Sequence, residues 1–184
     1  LHPRVRRQRQ MCIRDRMCDA VIDRGTLLAI MQAAKKADDS LLRDYAETTV
    51  AVADIKIAVR SMKTGKNKDF MKRAMAECNT LDIDRLATAA VAGMEEIERY
   101  LADTAYAGGA EALSKSASAF ERWCDNRIIE TIKPQKYNPF TVGPIVAYIL
   151  ARLNEIKTVR IILTCKLNQL PEEAIRERVR EMYV

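Results

Sequence analysis

The sequence predicts an all-helical protein, and three observations carry that reading. Ala, Leu, Met, Glu, Lys and Arg, the residues that favour helix, dominate the composition. Glycine and proline are scarce, at 6 and 5 of 184 residues. From about Asp23 onward, apolar residues recur at spacings of three, four and seven, the period of a helix face and not of a strand. With 48% hydrophobic and 30% charged residues the chain has a globular composition, and its length allows one or two compact units.

Residues 1–16, LHPRVRRQRQMCIRDR, hold six arginines and one acid, and so most of the formal charge of +6. The remainder is close to neutral, with 25 basic and 24 acidic residues. This leader has no apolar core like a signal peptide, no serine enrichment like a transit peptide and no apolar helical face. It reads as an adapter-like, non-native stretch, with a basic arm as the alternative.

Residues 25–37 then predict a short amphipathic helix, and Asp38, Asp39 and Ser40 offer caps for the next. Leu42, Tyr45, Val52, Ile55, Val59 and Met62 mark a helix over 40–63, ended by Gly65. Shorter helices follow over 67–77 and 82–104, the second interrupted at Gly93. Ala107, Gly108 and Gly109 read as a boundary between units, giving 17–107 and 108–184. A long helix over 110–132, with Leu113, Ala117, Phe120, Cys124 and Ile128 on one face, stops at Pro134. An extended loop through Tyr137, Asn138 and Pro139 comes next.

Gly143 and Pro144 precede the strongest helical pattern, with Val146, Ile149, Leu150, Leu153, Ile156, Val159, Leu163 and Leu167 on one stripe. Arg152, Glu155, Lys157 and Arg160 inside it exclude a membrane span. A last helix opens at Pro171, with Glu172 and Glu173 at the positive end of its dipole and Ile175, Val179 and Met182 facing inward. A faint internal repeat links the two long helices at a spacing near one hundred residues. Asp54-Ile55-Lys56 matches Glu155-Ile156-Lys157, while Val59-Arg60 matches Val159-Arg160 with a one-residue slip. Two similar helical units follow from it.

Catalytic chemistry finds no foothold in these residues. Thr64-Gly65-Lys66-Asn67 lacks both the upstream glycine and the Ser or Thr of a phosphate loop. Asp82 and Asp84 lack the glycine and closing glutamate of a calcium loop. The only histidine is His2, so neither a serine nor a cysteine has a histidine base within the helical body. Five cysteines without a CxxC pair or secretory signal give no zinc site and imply a reduced, cytoplasmic setting. Adjacent acids such as Glu95-Glu96 read as solvated faces. No catalytic, cofactor or metal residues are assigned, and neither a nucleic-acid partner nor a small-molecule substrate is expected.

The last fifty residues resemble the C-terminal end of the C subunit of the V/A-type rotary ATPases. The resemblance rests on Asn138-Pro139-Phe140, Gly143-Pro144, Ala147-Tyr148, Asn154-Glu155-Ile156-Lys157 and Arg160-Ile161-Ile162-Leu163. Lys166-Leu167-Asn168 and Leu170-Pro171-Glu172-Glu173 with Ile175-Arg176-Glu177-Arg178 complete it. Residues 44–63 and Thr104-Ala105-Tyr106 resemble the preceding unit, departing from the family pattern at Asp54, where Asn is usual, and at Ala105, where Pro is usual.

The resemblance covers 17–184 and implies two of the three similar helical-bundle units of a funnel-like body, so the chain reads as a fragment. It implies a non-catalytic component of the central stalk, peripheral on the cytoplasmic face of the membrane. Such a component couples the shaft subunits D and F to the membrane ion-carrying ring during proton- or sodium-coupled ATP synthesis or hydrolysis. A generic helical-repeat adaptor is the alternative. The candidate partner contacts are Lys56 and Arg60, with Lys157 and Arg160. These pairs lie one turn apart on matching helices, where positive charge would meet an acidic partner such as the shaft; solvated surface is the plainer alternative for them.

Overall fold

The computed structural model describes residues 3–37 and 39–183, with side chains from residue 18 onward. The order is α1 (Pro3–Ala37), α2 (Ser40–Lys63), α3 (Lys68–Ala74), α4 (Ile83–Ala92), α5 (Met94–Ala102), α6 (Ala107–Lys115), α7 (Ala117–Ile132), a 3-10 helix (Lys133–Tyr137), α8 (Gly143–Leu167) and α9 (Glu172–Arg178). No strand occurs among the described residues, in keeping with the all-helical expectation. The first helix begins well before residue 25 and runs through position 16 without a break. The side chains on which the leader was set apart lie outside the described residues.

Local chemistry explains most of the boundaries. The Asp39 carboxylate accepts from the Leu42 amide and starts α2. At its other end Gly65 has φ of +63°, the left-handed conformation glycine adopts without strain. The Gly65 and Lys66 amides donate back to the Met62 and Ser61 carbonyls, closing the helix in the usual left-handed cap. Asn67 and Asp82 cap α3 and α4 in the same way as Asp39 caps α2. Gly93, at φ of +140°, separates α4 from α5.

Three expectations about helix bounds and faces need correction. The helix expected over 110–132 is two helices, because Ser116 is extended and its hydroxyl caps α7 through the Ala119 amide. In the last turns of α7 it is Ile129, with Ile132, that is buried, and Ile128 is only partly so. The helix expected over 67–77 ends at Ala74, where Met75 is extended and residues 76–78 leave the helix. Gly108 and Gly109 open α6 against Trp123 of α7, and a Cβ on either would come within 2.8 Å of the indole. The helices approach closely there because nothing but hydrogen projects between them.

The main core runs from α2 (Val52, Ile55, Val59) through Met71, Met75, Leu86, Ile97 and Leu101 to Phe120 and Cys124 of α7. It therefore continues across the position at which the sequence suggested a boundary. A second cluster joins Leu41 of α2 to Ile129 and Ile132 of α7 and Ala147 and Ala151 of α8. A third unites Leu27 of α1, Val50 of α2 and Ala76.

The structure sharpens the repeat. Asp54 on α2 is fully buried and accepts from the Ala76 amide in the extended segment after α3. One hundred residues on, buried Asn154 on α8 donates to the Glu181 carbonyl in the extended segment after α9. The first helices of the units also reach these segments: Arg24 donates to the Met75 carbonyl, and Asn126 accepts from the Glu181 amide. Even the left-handed cap recurs, with Gln169 at φ of +55° where α2 has Gly65. A spacing of one hundred puts Val59-Arg60 and Val159-Arg160 in register and Asp54-Ile55-Lys56 one residue out of step with Glu155-Ile156-Lys157. Burial agrees, since Ile55 is inaccessible and Ile156 is exposed.

Candidate partner interface

The strongest apolar stripe in the sequence does not face the core. Val146 and Leu150 pack at its edge, but Ile149, Leu153, Ile156, Val159, Leu163 and Leu167 are 48–84% exposed. The buried side of α8 is instead Gly143, Ala147, Ala151, Asn154, Thr158 and Cys165. Small side chains there let α7 and α9 come close, and the larger apolar residues are left pointing outward. Further exposed apolar residues stand on the first turns of α8, Ile145 and Tyr148, and before it, Tyr137, Phe140 and Val142, with Phe140 fully exposed. Isolated exposed apolar residues are ordinary, but a contiguous row along a whole helix marks a contact surface.

The sequence-chosen basic residues divide into two kinds. Lys56 pairs with Glu121 at 3.0 Å, and Lys157 with Asp125 at 2.6 Å. Both acids lie on α7 one turn apart, so each lysine holds its own helix to α7. Arg60 and Arg160 are exposed and meet no acid among the described residues. Arg60 borders a groove with Val59, Lys63, Met94, Leu113 and Phe120. Arg160 lies within the apolar row of α8. The pairs are thus not units: the lysines serve internal packing and the arginines remain available.

Asp125 also receives Arg180 at 2.7 Å, and Arg180 is 7% exposed. Together with the bonds of Asn126 and Asn154 to Glu181, and of Lys133 to the Glu181 carboxylate, this pins residues 179–183 onto α7 and α8. Sequence reasoning missed the tail because single Asp, Asn and Arg residues carry no periodic signal.

Among the described residues few groups have perturbed acidity. Burial pushes the Asp54 carboxyl up to about 7, against the Ala76 amide and the Arg24 charge, which favour ionisation. Its second oxygen has no hydrogen-bond partner. Burial likewise raises the Cys124 thiol to about 12 and the Cys78 thiol to about 11, so both are protonated at neutral pH and behave as small apolar side chains. Cys18, Cys78, Cys124 and Cys165 are free, and Cys12 lies outside the residues whose side chains are described. Among the described residues no cluster of His, Cys, Asp and Glu could hold a metal ion, and no helix is long and apolar enough to cross a membrane.

Helices tied together by buried polar residues, with one apolar helix face left exposed, define the class: an all-helical protein. The family model for the ATP synthase (C/AC39) subunit matches residues 11–178, and the chain belongs to that family. It is 27% identical over 156 residues to the C subunit of the A-type ATP synthase of Methanocaldococcus jannaschii, an alignment covering 80% of this chain and 39% of that protein. To the C subunit of the A-type ATP synthase of Desulfurococcus sp. it is 24% identical over 163 residues, covering 86% of this chain and 44% of that protein. The chain thus spans about two fifths of the length of these relatives. No solved structure matches it with comparable significance.

Proposed function

We propose that this chain is part of a non-catalytic central-stalk component of a rotary V/A-type ATPase. In this reading it links the shaft subunits D and F to the membrane ring of ion-carrying subunits, on the cytoplasmic face of the membrane. Torque passes through it, while nucleotide and ion bind elsewhere. The observation that carries the reading is the family match over residues 11–178. A bare apolar face on a helical body suits a component that acts by being held between neighbours.

The test is reconstitution. The chain, mixed with purified D–F complex and with detergent-solubilised ring, should co-elute with one or both on size exclusion and should turn over no ATP alone. Co-elution with neither would remove the stalk assignment, and ATP hydrolysis by the isolated chain would contradict the non-catalytic one.

A further inference from the structure

On α8, the outer row is spaced more strictly than a core stripe requires. Positions 149, 153, 156, 160, 163 and 167 alternate steps of four and three, the seam of a two-helix coiled coil and not the broader face of a packed bundle helix. Five of the six are Ile149, Leu153, Ile156, Leu163 and Leu167, all exposed, and the sixth is Arg160, which has no acid beside it among the described residues. Of the other cations near the seam, Arg152 is paired with Glu155 and Lys157 with Asp125, while Lys166 flanks its far end, exposed and with no acid beside it among the described residues. One unpaired cation in an otherwise apolar seam sets register, because only a helix that brings a carboxylate opposite it avoids leaving the charge desolvated and unmatched.

In the first unit one position of the matching row, Lys56, meets a neighbouring helix, while Arg60, the counterpart of Arg160, is exposed. There α7 lies along α2 and meets Lys56 with Glu121 next to the buried Phe120 and Cys124. In the register set by Asp54 and Asn154, position 56 of α2 corresponds to Ile156 of α8, which is exposed.

We infer that the outer face of α8 is one half of a coiled-coil seam, and that its occupant is an amphipathic helix of a partner protein carrying a carboxylate opposite Arg160. The inference deepens the proposed function and rests on it for the existence of a partner. Its assay is separate from reconstitution with stalk and ring, so the two can fail independently.

The probe is a helix-stapled synthetic peptide of about three heptads, with leucine at the two seam positions and glutamate flanking them, alongside the same peptide with lysine in place of glutamate. Binding to the full chain is read by fluorescence anisotropy at low salt, where charge selection is least screened. The glutamate peptide should bind at least about tenfold more tightly than the lysine peptide. Arg160→Glu should reverse that preference. Leu153→Asp with Leu163→Asp should abolish binding of both while leaving the thermal midpoint unchanged, since both side chains are already exposed. No binding of the glutamate peptide, or equal binding of both peptides, would overturn the inference. So would self-association of the wild-type chain in sedimentation that Leu153→Asp abolishes, because a second copy would then be the occupant.

Discussion

Replacing Asp54 by asparagine tests the physical reading of the repeat most directly. Asp54 is fully buried, gives one oxygen to the Ala76 amide and leaves the other without a partner. Its folded-state acidity is moved from 3.8 to about 7, chiefly by burial. At about 1.4 kcal/mol per pH unit, keeping this carboxylate ionised costs the native state about 4 kcal/mol above neutrality. Because the folded value is the higher one, the native chain holds a proton between about pH 4 and pH 7 that the unfolded chain has lost. Stability from this group therefore falls as pH rises through that window and levels off above it.

The Asp54→Asn side chain would keep the acceptor for Ala76, cannot ionise, and reproduces the residue type the second unit has at Asn154. Its amide N–H groups would still lack a partner, at about 1–2 kcal/mol, so a net gain of about 2 kcal/mol is expected at pH 8. At pH 4 the variant should be equal to or slightly below wild type. Urea unfolding at pH 4, 6 and 8, compared by midpoint at constant slope, measures the difference while cancelling every other titrating group. Parallel pH profiles for wild type and Asp54→Asn would refute the argument.

Three further outcomes follow from the packing. Gln169→Gly relieves a left-handed backbone in the cap where the first unit already has glycine, and should stabilise the chain by about 1 kcal/mol in thermal melts. Gly109→Ala puts a methyl at 2.8–3.2 Å from three atoms of the Trp123 ring and should cost about 1–3 kcal/mol, with a change in tryptophan fluorescence reporting the displaced indole. Asp125→Ala strips the buried Arg180 of its carboxylate and should cost about 3 kcal/mol in urea unfolding, whereas Lys157→Ala, at a half-exposed partner of the same acid, should cost at most about 1 kcal/mol.

The legibility of this fold varied with the kind of signal. Both ends of α2 could be read because a capping acid and a left-handed glycine act within one turn and need no tertiary partner. The break at Ser116 could not, because Leu113, Ala117, Phe120 and Cys124 keep a helical period straight across it. Periodicity located the apolar row of α8 but assigned it to the core, since a pattern shows that a face is apolar and not what covers it. What chose the other face was size: Ala147 and Ala151 allow an approach that Leu153 and Ile156 would prevent. Of the four basic residues, sequence spacing paired those that the structure separates, because the acids that hold Lys56 and Lys157 lie on another helix.

Helix α7 belongs to two cores at once. Phe120 and Cys124 complete the main cluster while Ile129 and Ile132 build the second, and its acids hold a lysine from each of α2 and α8. An ordinary tandem repeat can lose its last unit and keep the one before, because neighbours meet only at an interface. Here the second unit's opening helix is the lid of the first, so melting it would expose Val52, Ile55 and Val59 of α2 to water. The two units should consequently unfold in one transition, with no half-folded state between them.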